Sequence, residues 1–297
     1  MRKTSLILSE VDARVEEMRR AAEAAGKKLL PPLLMLGTME RIGSNWLSDS
    51  LRTVMDQHNE PMRQQLAADH PLSPLNVDAV GFVEAERRLT PYGRHSLITF
   101  AVSKYAPTRQ VVKETNLWLA VPNILELFPD APVAVLTRSP LGVASSFVRS
   151  GLFERWDYRA RYRHMVQATR RSDAPLAGAA ALVPDDGPTE LVALARLHVL
   201  NTLLVSTALD SRAYGEGGVV CVPYEAAVRD PATGWHALMR LLPELRDLSR
   251  PVLGSEAATA PGAWAEDTFV TTVPKTTLTA YLSQAQAEQV VRRPLRR

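Results

Sequence analysis

Two stretches of this chain combine residue types suited to gripping a doubly charged anion. The first is Gly37-Thr38-Met39-Glu40-Arg41-Ile42-Gly43-Ser44-Asn45-Trp46. A glycine-bearing loop that opens a helix aims backbone N–H groups at an anion. Gly43 lets the backbone approach a ligand with no Cβ in the way, and Arg41 supplies a permanent cation. The loop is not a Walker A motif: its glycines stand six positions apart, one too many, and Gly-Lys-Ser/Thr is absent. On its own it also reads as an ordinary βα turn with a surface arginine.

The second stretch is Arg138-Ser139-Pro140-Leu141-Gly142-Val143-Ala144-Ser145-Ser146-Phe147, an arginine with a serine eight residues on. A guanidinium fork and a hydroxyl that converge can hold a phosphate by charge-assisted hydrogen bonds. By itself this arginine could equally satisfy a helix carboxylate.

These residues need elements to carry them, and the apolar patterning supplies a set. Val11, Val15, Met18 and Ala22 among charged residues predict an amphipathic helix over 9–30, N-capped by Ser9 and ended by Pro31-Pro32. Leu33-Leu34-Met35-Leu36 is a continuous apolar run, as a buried parallel strand requires, and a helical period resumes from Trp46 to Met55. Strand and helix alternate again downstream. Gln110 to Lys113 reads as a strand end, 119–128 as a helix, 132–137 as a strand, a helix follows Pro140 from near Gly142, 190–209 is helical, and 218–223 is a strand. The fold class this predicts is α/β: a central parallel β-sheet flanked by helices, with a P-loop-like phosphate-binding strand-loop-helix, in a single domain. The phosphate-binding core would span about 33–231, with 232–297 a C-terminal segment. Residues 58–108 and 151–190 fit the alternation poorly and read as variable segments bordering a cleft. The run Phe153 to Arg163 is either the floor of a pocket or, as its spacing favours, a helix turning aromatics inward. Ligands of open α/β sheets bind beyond the C-terminal ends of the strands, where both anion-gripping stretches fall.

Composition narrows the classes. The chain has 297 residues, 46% hydrophobic and 23% charged, which is ordinary globular composition. Its formal charge of +3 resides in Arg292, Arg293, Arg296 and Arg297; the remainder is near neutral, so no nucleic-acid partner is expected. The single cysteine, Cys221, permits no internal disulfide, sits in an apolar run and reads as a small buried hydrophobe. No Cys/His spacing points to a metal. The apolar segment after Arg2 and Lys3 is too short for a signal peptide, and no membrane span is expected. A cytoplasmic setting is the resulting expectation.

Taken together the two stretches resemble those of the PAPS-dependent sulfotransferases, which transfer a sulfuryl group from 3′-phosphoadenosine-5′-phosphosulfate (PAPS) to an acceptor. Arg41-Ile42-Gly43-Ser44-Asn45-Trp46-Leu47 is similar to the family's 5′-phosphosulfate loop, and Arg138 with Ser146 to its 3′-phosphate motif. Val111-Val112-Lys113-Glu114-Thr115 falls where the family has a strand ending in a lysine and a base, and Pro223-Tyr224-Glu225 resembles another strand end. The resemblance implies that Arg41 contacts the sulfonate and bridging oxygens, aided by Lys113, and that Gly43, Ser44 and Asn45 surround the 5′-phosphate. It implies that Arg138 and Ser146 bind the 3′-phosphate. Trp46 would stack on adenine or be a core indole; Tyr224 would lie near adenine or simply pack. Glu114 stands as the catalytic base, or else as a salt bridge or loop cap, with His70 and His95 ranked behind it. The acceptor would be the hydroxyl or amine of a small molecule, and no metal is called for. The chain departs from the family in having no histidine after the strand lysine. Around Ala260-Pro261-Gly262-Ala263-Trp264 it also lacks the basic residues that complete the 3′-phosphate site, for which Arg250 is a substitute candidate. A P-loop-type small-molecule kinase would need the missing Walker lysine. A non-catalytic nucleotide-binding protein of the same fold would bind the donor without turnover.

Overall fold

The computed structural model describes residues 6–52, 54–62, 90–172, 174–184 and 188–247. The first helix, α1 (Leu6–Ala24), buries Ile7, Val11 and Val15. Each fully buried aliphatic side chain of this kind contributes roughly 1.5–3 kcal/mol. Two expectations about this helix are corrected. Ser9 lies inside it and does not cap it, and the stop is Gly26, well before Pro31. Gly26 takes φ 66°, Lys27 N–H reaches the Ala22 carbonyl at 2.8 Å, and Gly26 N–H that of Glu23 at 2.9 Å. This pair of bonds closes a helix on a left-handed glycine.

The sheet is built from β1 (Leu33–Gly37), β2 (Gln57–Asn59), β3 (Val111–Glu114), β4 (Val133–Thr137) and β5 (Val219–Pro223). All are parallel, in the order β2-β3-β1-β4-β5. The central strands are buried along almost their whole length, which is why they read as unbroken apolar runs. Between them run α2 (Ser44–Leu51), α3 (Pro91–Ser103), α4 (Val121–Leu127, after a 3₁₀ turn at Trp118–Ala120) and α5 (Pro140–Arg149). Next come α6 (Tyr158–Arg170), α7 (Ala174–Ala180), α8 (Glu190–Leu209), α9 (Tyr224–Arg229) and α10 (Pro231–Leu241).

Among the described residues, two elements lie at least partly in the segment 58–108 that the sequence left irregular. The edge strand β2 has three polar residues and carries no periodicity. Helix α3 opens on Thr90, whose hydroxyl accepts the Gly93 N–H at 3.1 Å, followed by Pro91. It buries Leu97, Ile98 and Ala101 and packs on α1. In 151–190, α6 does turn its aromatics inward: Tyr158 and Tyr162, one turn apart, are both buried. Helix α8 is long and apolar enough to cross a membrane by composition, yet two thirds of its apolar window is buried among α4, α5, α6 and α7.

From β1 the chain passes to one side of the sheet, toward β2 and β3, and from β4 to the other, toward β5. The crevice between the C-terminal ends of β1 and β4 is therefore the switch point where such sheets bind ligands.

Candidate functional site

Gly37 stands opposite Leu136 in the sheet register, so the loops leaving β1 and β4 start side by side. The β1 loop leads into α2 through Gly43, whose φ of 89° places it in the left-handed region. A Cβ there would come within 2.1 Å of the Tyr224 ring, so only glycine admits that ring beside the loop. Arg41 is also left-handed, with φ 64°, a conformation that costs a non-glycine residue about 1–2 kcal/mol. Two bonds hold it there. Arg138 Nη1 donates to the Arg41 carbonyl at 2.8 Å, and Arg41 Nε donates to Ser146 Oγ at 3.2 Å. The two stretches that are 97 and 105 residues apart along the chain thus meet at one point.

Arg138 leaves the end of β4 and is buried by its surroundings, its side chain only 7% exposed. Its guanidinium lies 4.3 Å above the Tyr224 ring, and its Nε 4.0 Å from Glu225 Oε1, which also accepts the Ser139 N–H at 2.9 Å. Burial pushes the guanidinium pKa down; Tyr224 and Glu225 support its charge, and Arg149 and Arg41 oppose it. A cation crowded by other cations is one whose repulsion an incoming anion relieves. Arg149 closes α5 one turn after Ser146 and adds to the positive field at this end of the sheet. Ser139 caps α5 by accepting the Gly142 N–H at 3.0 Å, and Ser146, on the same helix, is 1% exposed. Trp46, half-buried on α2, meets Tyr224 edge-on with ring centres 6.3 Å apart. The two aromatics and Gly43 form one wall beside Arg138.

Lys113 and Glu114, adjacent in sequence, make different hydrogen bonds. Successive strand residues point to opposite faces, and their contacts bear this out. Lys113 Nζ donates to Asn45 Oδ1 on α2. Glu114, 1% exposed, accepts the backbone N–H of Met62 at 2.7 Å. Burial pushes the Lys113 pKa down, countered by the negative charges of Glu60, Asp49 and Glu114.

Glu60 was not singled out in the sequence. It follows β2, donates its N–H to the Lys113 carbonyl at 2.7 Å, and takes φ 49°. Its carboxylate accepts the Thr115 hydroxyl. Lys113, Asn45, Thr115 and Glu60 therefore form a second polar group next to the anion-gripping loop. Sequence reading missed Glu60 because the three-residue strand that delivers it has no apolar pattern. Of the histidine candidates, His95 is exposed on α3 beside Thr99. His70, Arg250 and the 260–264 stretch lie outside the described residues.

A further buried histidine steadies the site from below. His198 on α8 is 2% exposed, and its Nε2–H donates to the Arg138 carbonyl at 2.8 Å. Burial pushes its pKa below the ordinary value, only partly offset by the carbonyls of Arg138 and Thr38 and by Glu225. Below about pH 6.5 the unfolded chain takes up a proton on this residue that the folded chain refuses, so stability falls on acidification. The slope approaches about 1.4 kcal/mol per pH unit for one proton. Thermal melting of wild type and His198→Gln between pH 7.5 and 5.5 checks this: the wild-type curve should be steeper, and parallel curves would refute it.

No family model matches this chain, and no curated protein matches it. Among solved structures it is similar to a sulfotransferase from Alicyclobacillus acidocaldarius, with a TM-score of 0.50 and 15% identity, covering 90% of this chain and 99% of that one. The sulfotransferase domain of the Synechococcus PCC 7002 olefin synthase also matches, at TM-score 0.37 and 17% identity, over 91% of this chain and 90% of that one. At 15% identity the first likeness is one of fold: the chain has a sulfotransferase fold, with its parallel five-stranded sheet flanked by helices.

Proposed function

We propose that this protein transfers a sulfuryl group from PAPS to a hydroxyl or amine of a small-molecule acceptor. The observation that carries this reading is the meeting of Arg41, Arg138 and Ser146 at the β1–β4 crevice, beside the Gly43–Tyr224–Trp46 wall. Such a site fits a nucleotide with anionic groups at both its 3′ and 5′ ends. Arg138 and Ser146 would take the 3′-phosphate, the N–H groups of Gly43, Ser44 and Asn45 the 5′-phosphate, and the aromatic wall the adenine. Arg41 would serve the sulfonate and bridging oxygens. Its bond to the Ser146 hydroxyl would be exchanged for stronger charge-assisted bonds to phosphate oxygens.

The donor supplies the activated sulfuryl group; the protein's part is positioning and charge stabilisation, as in phosphoryl transfer. The acceptor oxygen or nitrogen bonds to sulfur as the bond from sulfur to the bridging phosphate oxygen breaks, and the acceptor's proton passes to a base. Arg41 and Lys113 would stabilise the charge that develops on the leaving phosphate. Glu114 was the sequence candidate for the base, but its buried carboxylate accepts the Met62 N–H, as in the loop-cap alternative. Glu60 is the carboxylate beside Lys113 and Thr115, and the base role is assigned to it.

Calorimetric titration with 3′-phosphoadenosine-5′-phosphate (PAP), beside ATP and ADP, tests the donor assignment. Binding of PAP well above the other two supports it. Preference for ATP would move the protein to small-molecule phosphorylation. Silence with all three would leave a sulfotransferase fold without this chemistry.

A further inference from the structure

Glu40 immediately precedes the loop cation, and a distant arginine holds it. Arg161 Nη2 donates to Glu40 Oε1 at 3.0 Å, and Nη1 reaches Oε2 at 3.5 Å. The Arg161 side chain is 2% exposed, and its guanidinium lies 5.5 Å above the Trp118 ring. Trp118 in turn donates its Nε1–H to the Gly37 carbonyl at 3.1 Å. One buried Arg–Trp pair, supplied by α6 and by the turn after β3, thus grips the loop at Gly37 and again at Glu40.

We propose that Arg161 is a positioning residue for the donor loop. Through Glu40 it keeps Arg41 in the left-handed backbone conformation from which Arg41 reaches Ser146. The inference rests on the donor reading above. A planar fork on a carboxylate fixes direction as well as distance, which a lysine would not. The Arg161 guanidinium is almost fully buried while Glu40 keeps a partly exposed edge, so losing Glu40 leaves the arginine's charge buried without its carboxylate. The pair is not what anchors α6, because Tyr158, Tyr162, Met165 and Val166 already bury that helix's inner face. Its effect should therefore fall on the loop.

The test uses the full chain as wild type, Arg161→Gln, Arg161→Lys and Glu40→Gln. Two quantities are measured: PAP affinity by calorimetry, and amide hydrogen exchange of residues 38–45 without ligand. Arg161→Gln and Glu40→Gln should each weaken PAP on the order of tenfold, the size expected for a lost charge-assisted contact. Both should speed exchange in 38–45 while leaving β1, β4 and α8 protected, and Arg161→Lys should recover part of the affinity. Unchanged PAP affinity in both neutral variants would overturn the inference, as would faster exchange spread evenly over the sheet. Glu40→Gln leaves Arg161 stacked on Trp118, so it keeps the test decisive if Arg161→Gln fails to fold. Wild-type protein that ignores PAP would overturn the donor reading and this inference with it. Wild-type binding with unaltered variants would overturn the inference alone.

Discussion

Arg138→Ala should lower affinity for PAP by about 30- to 1,000-fold, corresponding to roughly 2–4 kcal/mol for truncating one partner of a desolvated charge contact. The size follows from where the guanidinium sits. It is largely removed from water, stacked on Tyr224 and bonded to the Arg41 carbonyl, so its conformation is set before any ligand arrives. Little side-chain entropy then remains to be lost on binding. Affinity for a nucleotide without a 3′-phosphate, such as adenosine 5′-phosphosulfate, should change much less. Equal losses for both ligands would mean that Arg138 acts only through the loop carbonyl it holds. Arg138→Lys keeps a cation but not the planar fork and should fall between wild type and alanine. Survival of PAP binding in Arg138→Ala would remove the 3′-phosphate assignment altogether.

The second large effect is expected at Glu60. Glu60→Gln preserves the shape of the side chain and an acceptor for the Thr115 hydroxyl, but it cannot take a proton. Turnover from PAPS, measured with the best acceptor from a screen of phenols and alcohols, should drop about 10²–10⁴-fold, the usual contribution of a general base. PAP affinity should stay within a few-fold of wild type. Glu114→Gln should behave differently. Its carboxylate is buried and accepts a backbone N–H, so the change should lower the melting temperature and leave kcat within about tenfold. If the kinetic loss appears in Glu114→Gln and not in Glu60→Gln, the base assignment reverts to Glu114.

The contrast between these two glutamates marks where linear reading stops. Lys113 and Glu114 are neighbours in sequence, and a motif places them together; strand geometry sends their side chains to opposite faces. Glu60 is 53 residues from Lys113 in the chain, yet the parallel pairing of β2 on β3 sets it beside that lysine. No local periodicity announces a three-residue polar edge strand, because an edge strand buries too little to need an apolar pattern. In the same way, Arg161 read only as part of an aromatic-basic run. The ion pair with Glu40 exists because α6 packs its tyrosines inward and so carries the arginine to the loop.

What the sequence determined by itself was four of the five strands and the two arginine-bearing loops. Strands buried on both faces must be continuously apolar, so Leu33–Leu36, 132–137 and 218–223 were legible. Helix α8 matched its sequence reading at both ends, with Thr189 accepting the Val192 N–H at its start. Gly43 was legible as a residue without a Cβ, though the reason for it, the Tyr224 ring, lies 181 positions downstream. Tertiary structure alone decided which groups meet: Arg41 with Ser146, Arg138 with Tyr224, Lys113 with Glu60. Such meetings depend on strand order and helix packing, which are set by the burial of the whole core and are not written into any single segment.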